Sequence, residues 1–124
     1  MTLASSIGSI LLFSGIVTAV GGLTALLLPL QLLRLAFGVG DGAASTVFFV
    51  RHWGVLIFAV GGLILCAGYV PTVRAPVLIA AALEKFAIGI LVFFGPLKRT
   101  TAMTAIAAVD GLFASIYVAY LAGL

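Results

Sequence analysis

Four apolar segments, each long enough to cross a lipid bilayer as an α-helix, account for most of this 124-residue chain. They cover residues 7–28, 47–68, 77–94 and 102–121. At about 1.5 Å per residue, helices of this length match the roughly 30 Å hydrocarbon core of a bilayer. The connections between them are short, which makes consecutive helices antiparallel neighbours. We therefore predict an all-α fold, an integral membrane four-helix bundle of up-down-up-down topology that forms a single domain over residues 1–124.

The composition requires a membrane environment. Hydrophobic residues make up 65% of the chain and charged residues only 7%, against roughly 25% charged residues in an ordinary soluble domain. A soluble chain of this length has too little interior to bury so much apolar surface, so the partner must be the lipid bilayer. The net charge of +3 is scattered and forms no basic block, which argues against nucleic-acid binding. A single cysteine, Cys66, excludes an internal disulfide and a multi-cysteine metal site.

Proline, glycine and polar residues mark the ends of the predicted helices. Pro29 closes the first helix, and residues 31–37 are expected to form a short helix at the membrane interface. The glycine-rich stretch 38–42 predicts a loop. Ser45 and Thr46 are candidate N-caps for the second membrane helix.

Basic residues predict the orientation in the membrane. The first and third loops contain or adjoin most of them, namely Arg34, Arg51, Lys98 and Arg99, whereas the second loop has only Arg74. The positive-inside rule places the first and third loops in the cytoplasm and both termini on the non-cytoplasmic side. Trp53 is then expected to anchor the second helix at the interface.

A seven-residue glycine repeat predicts which helices pack most closely. The repeat comprises Gly8, Gly15 and Gly22 in the first segment and Gly54, Gly61 and Gly68 in the second. Such spacing keeps one seam of small residues facing a partner helix, and small residues let two backbones approach closely. We expect the first and second membrane helices to form a tight pair.

Three charged residues lie deep within the predicted membrane segments. Lys85 and Asp110 each lie about 13 Å from a helix end, near the midplane of neighbouring helices. We predict that they form an ion pair, which offsets the roughly 2.5 to 3.5 kcal/mol that an isolated charge costs there. Glu84 points about 100° away from Lys85. We expect Glu84 either to pair with Arg51 or His52 or to be protonated, since burial disfavours a charged carboxylate.

These residues, Glu84, Lys85, Asp110, His52 and Arg51, are the candidate site for ligand or proton binding. One interpretation is a buried polar cavity that binds a small ligand or relays protons. The other is a set of ion pairs that fixes the register of the helices. Arg51 could instead extend to the lipid headgroups. His52 could ligate haem, but the chain has no second histidine. The sequence singles out no catalytic residue and no metal site, and it leaves any cofactor unidentified.

Motifs of the common enzyme classes are missing from the sequence. It has no P-loop, no G-x-S-x-G elbow, no H-E-x-x-H and no Cys-x-x-Cys. Acid-base chemistry on an apolar substrate stays open, because Glu84, Asp110 and His52 are adequate acid-base groups if they line one pocket.

Several short motifs resemble those of a known membrane family. They are Pro29 at the end of the first segment, Leu32-Leu33-Arg34-Leu35, Phe37-Gly38, and Arg51-His52-Trp53-Gly54 at the start of the second. In these motifs the first half of the chain resembles the DoxX-like small four-helix bacterial membrane proteins. The resemblance implies the four-helix architecture and a bacterial inner-membrane location. Members of that family are associated with membrane redox or stress complexes, often without a known activity. The resemblance implies no catalytic residue at any numbered position here.

The sequence favours one function and leaves two alternatives open. The favoured one is a non-catalytic accessory subunit of a larger inner-membrane complex, with a homo-oligomer or that complex as the expected assembly. The second is a binding or transport protein for a small molecule, ion or proton that uses the buried charged centre. The third is a membrane enzyme that performs acid-base chemistry on an apolar substrate.

Overall fold

The computed structural model describes residues 2–38 and 42–124 and is built of α-helices. Residues 39–41 of the predicted glycine-rich loop lie outside the described residues. The elements in chain order are α1 (Leu3–Leu27), α2 (Pro29–Leu35), α3 (Ala44–Tyr69), a 3₁₀ turn (Pro71–Val73), α4 (Arg74–Phe94) and α5 (Thr101–Leu121). No β-strand occurs in the described parts of the chain. The all-α prediction is confirmed, with four long helices and one short one.

A side-chain cap fixes the start of α1, whereas α3 begins without one. The Thr2 side chain accepts a hydrogen bond from the Ser5 backbone N–H, and the Ser5 side chain accepts one from the Thr2 N–H, each at 3.2 Å. This reciprocal box starts α1 earlier than the sequence predicted. At α3 the predicted caps, Ser45 and Thr46, are wrong, because the helix already begins at Ala44 with Ala43 as its N-cap residue. Alanine has the highest helix propensity, which favours this earlier start.

The glycine repeat forms the contact between α1 and α3. A Cβ atom added at Gly22 would lie 2.6 Å from the carbonyl oxygen of Gly54, and one added at Gly15 would lie 3.0 Å from that of Gly61. The Cβ at Gly15 would also lie 2.9 Å from the backbone nitrogen of Leu65. Real Cβ atoms essentially never lie closer than 3.0 Å to another heavy atom, so only glycine fits at these two positions without a backbone shift. At the far end of the seam, a Cβ at Gly8 would lie 3.6 Å from the Gly68 oxygen. The predicted tight pairing is confirmed, and the order of these contacts makes α1 and α3 antiparallel.

Arg74 binds the C-terminal end of α3, at the same end of the bundle as Gly8 and Gly68. Its guanidinium donates to the Ala67 carbonyl oxygen at 2.8 Å and to the Gly68 carbonyl oxygen at 3.1 Å, and contacts the Tyr120 hydroxyl at 3.5 Å. The last carbonyl groups of a helix have no partner within the helix, so Arg74 satisfies two of those at the end of α3. It also ties α3 to α4 and α5.

The apolar core is divided into two clusters along the bundle. The larger one joins all four long helices and contains Ile7, Leu11, Ile64, Ala67, Leu78, Ala81, Phe113 and Tyr117. The smaller one contains Val92, Met103 and Ala107, with Phe37 packed against it. Lys85 and Asp110 lie between the two clusters in sequence order on α4 and α5. These two charged residues, the polar centre of the bundle, therefore lie inside the core and not at one end of it.

All four long helices have the length and apolar composition needed to cross a membrane. Their outward faces carry large exposed apolar side chains such as Phe13, Leu27, Leu63, Leu83, Phe94 and Leu112. In water these side chains would be a liability, but lipid solvates them. The chain is a small multi-pass membrane protein.

Candidate functional site

A cavity of about 340 Å³ lies between the two core clusters. Its walls are mostly apolar and come from every helix: Val17, Leu32, Ile57, Ile106 and Val109 are among them. Two aromatic residues, Phe37 and Trp53, also line it. The polar lining consists of Thr18, Glu84, Lys85 and Asp110. The cavity thus has apolar walls and a cluster of charged groups.

Lys85 is the most completely enclosed charged residue of the site, with a relative exposure of 1%. Its ammonium nitrogen lies 2.8 Å from Oδ1 of Asp110 and 2.9 Å from Oγ1 of Thr18. The same nitrogen lies 5.7 Å from the centroid of the Phe113 ring, within range of a cation–π interaction. The predicted ion pair between Lys85 and Asp110 is confirmed. An ammonium group has three N–H donors. Asp110 and Thr18 accept hydrogen bonds from it, and the Phe113 ring lies on a third side.

The carboxyl group of Glu84 is less well satisfied than the Lys85 ammonium. Its Oε2 atom is buried and receives no hydrogen bond from any described residue. The predicted pairing with Arg51 or His52 is wrong, because those two side chains are exposed and line a different cleft beside Leu26 and Val55. A helix turns about 100° per residue, so when Trp53 faces the cavity, Arg51 and His52 face elsewhere.

This placement also removes His52 from the acid-base group proposed from the sequence. Glu84 and Asp110 share the cavity, whereas His52 does not line it. Trp53, which the sequence predicts to be an interfacial anchor, also lines the cavity. Among the residues that the structure describes, no three His, Cys, Asp or Glu side chains lie close enough to hold a metal ion.

Two hydroxyl groups that support the pair of Lys85 and Asp110 were not predicted from the sequence. Thr18 accepts a hydrogen bond from Lys85, and it is only 5% exposed. One turn earlier on α1, the buried Ser14 accepts a 2.6 Å hydrogen bond from the Tyr117 hydroxyl. The available signal was the spacing of Ser14 and Thr18, which are four residues apart in an apolar segment and therefore share one helix face. Together they form a polar strip on α1 facing α4 and α5.

The arrangement leaves acceptor capacity open in the cavity. Lys85 is surrounded by partners, whereas Oε2 of Glu84 has none, and the side chain of Asp110 retains 20% exposure. Burying an acceptor without a partner costs free energy, of order 1–3 kcal/mol for a neutral group and more for a charged one. The site is therefore suited to a group that donates hydrogen bonds or carries positive charge.

Fold and site together define a small helical membrane protein with a charged cavity among its membrane helices. No protein-family model, curated protein or solved structure matches the chain.

Proposed function

We propose that this membrane protein binds a small amphiphilic molecule in its central cavity, as a binding or transport protein. The observation that carries the proposal is the combination of a cavity of about 340 Å³ with a buried carboxyl oxygen that has no partner. Ligand sites are typically concave, mostly apolar and fitted with a few convergent polar groups. Ionisable groups inside a membrane are costly, and they commonly mark binding sites or proton pathways.

The apolar and the polar parts of the lining together favour one orientation of the ligand. The apolar part of the ligand would lie against Val17, Ile57 and Ile106, and its polar head would face Glu84 and Asp110. The alternative, in which these charges only fix the register of the helices, accounts for the pair of Lys85 and Asp110. It does not account for Glu84, whose Oε2 atom receives no hydrogen bond from the described residues. Acid-base catalysis is less well supported, since only two of its three expected groups line the cavity.

Trp53 offers a direct readout of occupancy, because it is the only tryptophan in the chain and lines the cavity. The experiment titrates the purified protein, in lipid nanodiscs, with small brominated benzyl compounds that carry different head groups. Bromine quenches tryptophan fluorescence at short range. We expect saturable quenching by at least one compound.

Two glycine variants form the control. Gly21 lines the cavity, and Gly62 lies on an exposed face of α3. An added Cβ meets no atom within 4 Å at either position. Gly21→Leu should fill the cavity and abolish saturable quenching, whereas Gly62→Leu should preserve it. Equal quenching in both variants, or none in the wild type, would contradict the proposed function.

A second candidate is a non-catalytic accessory subunit of a larger membrane complex. What favours it is the outer face of α5, where Thr104, Ala108 and Ser115 are exposed and a Cβ at Gly111 would meet no atom within 4 Å. Small residues at such spacing let another membrane helix approach closely. In keeping with the resemblance to DoxX-like proteins, the complex would be a redox or stress-related assembly of a bacterial inner membrane, with both termini of this chain on the non-cytoplasmic side.

The native mass separates these candidates. The test is the mass and visible spectrum of the protein extracted from its own membranes in mild detergent. A subunit would migrate in a much larger particle, coloured if that particle carries redox cofactors. A colourless monomer or homodimer would contradict the subunit role and leave the binding role in place.

A further inference from the structure

We propose that the molecule bound in the cavity is a lipophilic ammonium cation, with the carboxylate of Glu84 as its counter-ion. This inference rests on the proposed function, since it names the ligand class of the same cavity. It follows from three features of the lining: the sign of its charges, the occupancy of each charged group, and the character of the walls.

The charges of the cavity favour a cation. Two carboxyl groups, Glu84 and Asp110, line it together with one ammonium group, Lys85. Within residues 2–38 and 42–124, no arginine, histidine or second lysine lines it. With both carboxylates ionised, the cavity therefore has one negative charge in excess, which one bound monocation would neutralise.

The partners that each charged group already has favour a cation over an anion as the ligand. Among the described residues that line the cavity, only Lys85 offers a cationic group to an anion. Its ammonium is already held by Asp110, Thr18 and the Phe113 ring. An anion would have to displace one of these partners. A cation displaces nothing at Glu84, because Oε2 has no hydrogen bond to lose.

The walls suit an organic cation rather than a hydrated metal ion. Trp53 and Phe37 supply aromatic rings, which attract cations through the negative charge of the ring face, tryptophan most strongly. Apart from the four polar residues named above, the remaining side chains that line the cavity are aliphatic. In the described part of the chain, side-chain oxygen atoms at the cavity are therefore confined to Thr18, Glu84 and Asp110 and do not surround it as a hydration shell would. An ammonium head with one attached apolar group matches both parts of the lining.

Binding of a cation beside Glu84 should depend on pH. A cation and a proton would compete for the carboxylate of Glu84, so lowering the pH should weaken cation binding. The titratable groups that face Glu84 from the packed helices are Lys85 on its own helix and Asp110 and Tyr117 on α5. α1 and α3 contribute Thr18 and Trp53, which do not titrate. Where one proton is exchanged for one cation, the dissociation constant changes by up to about tenfold per pH unit.

Three brominated probes of nearly equal size and shape test the ligand class. They are 4-bromobenzyltrimethylammonium, its carbon analogue 4-bromoneopentylbenzene, and 4-bromobenzylsulfonate. The first is a permanent cation, the second is neutral and the third is an anion. The first two differ only by the charged nitrogen in place of carbon, and the sulfonate also replaces the three methyl groups by oxygen atoms. The readout is quenching of Trp53 in lipid nanodiscs. In the wild type we expect the cation to bind about tenfold or more tightly than either of the others.

Glu84→Gln should abolish the preference for the cation and its pH dependence, and Glu84→Asp should retain both. The Gly21→Leu variant should bind none of the probes. Because the three-probe comparison uses only the wild type, it decides the ligand class even if a variant does not fold.

The outcomes separate this inference from the proposed function. If all three probes bind equally and Gly21→Leu abolishes their binding, the cavity is a ligand site but the cation assignment is wrong. A preference for the sulfonate, or a cation preference that persists in Glu84→Gln, would also overturn the assignment. If no probe produces saturable quenching, both the inference and the proposed function fail.

Discussion

Replacing Gly22 by alanine should destabilise the protein, whereas replacing its neighbour Gly21 should not. An added Cβ at Gly22 would lie 2.6 Å from the Gly54 carbonyl oxygen, and closer still to the backbone nitrogen of Phe58. Ordinary van der Waals contact starts at 3.4 Å, so relieving the Gly54 contact alone would separate α1 from α3 by about 0.8 Å. At Gly21 the same atom meets nothing within 4 Å.

The obstructing atoms at Gly22 belong to the backbone, so no rotamer change can accommodate the methyl group. Overpacking of this kind costs about 1–3 kcal/mol. Gly21→Ala should leave the free energy of unfolding unchanged or raise it by up to about 1 kcal/mol, through the higher helix propensity of alanine. The assay is reversible unfolding by SDS in mixed micelles, followed by circular dichroism. Equal effects of the two substitutions would refute the close approach of α1 and α3.

The same unfolding assay tests three further contacts. Asp110→Asn should lower the free energy of unfolding by about 3–5 kcal/mol, because it leaves the Lys85 ammonium buried without its counter-ion. Adding Lys85→Met should recover part of that loss, and a double variant no more stable than Asp110→Asn would contradict a coupled pair. Arg74→Gln should lower the free energy of unfolding by about 1.5–3 kcal/mol, since it removes charged hydrogen bonds to the end of α3. An unchanged midpoint of SDS unfolding would contradict the stabilising role of Arg74. Tyr117→Phe should cost about 1 kcal/mol by breaking the hydrogen bond to Ser14, and Ser14→Ala should then add little to it.

Features set by regular spacing could be predicted from the sequence. The seven-residue glycine repeat was sufficient to predict the pairing of α1 with α3, because that pairing depends on small residues recurring along one helix face. Likewise, the depth of Lys85 and Asp110 could be counted from the ends of their helices. A buried charge requires a partner at the same depth, and that requirement identified the ion pair.

Features set by helix rotation and by incomplete packing could not be predicted. Arg51 and His52 are close to Trp53 in sequence, but the rotation of α3 turns only Trp53 towards Glu84. The cavity depends on side chains from five helices failing to fill one space, and no local pattern encodes that. Thr18 was within reach of sequence reasoning, since a buried ammonium needs more than one acceptor and a polar residue in an apolar helix can supply it.

The most direct test of ligand binding in this cavity is nuclear magnetic resonance of the protein in detergent with benzyltrimethylammonium. Nuclear Overhauser effects report which protein protons lie within a few ångströms of the ligand. We predict effects from the ligand methyl groups to the Trp53 indole and the Thr18 methyl group, and their loss in Gly21→Leu. Effects only to lipid-facing side chains such as Leu83 and Phe94 would contradict the account.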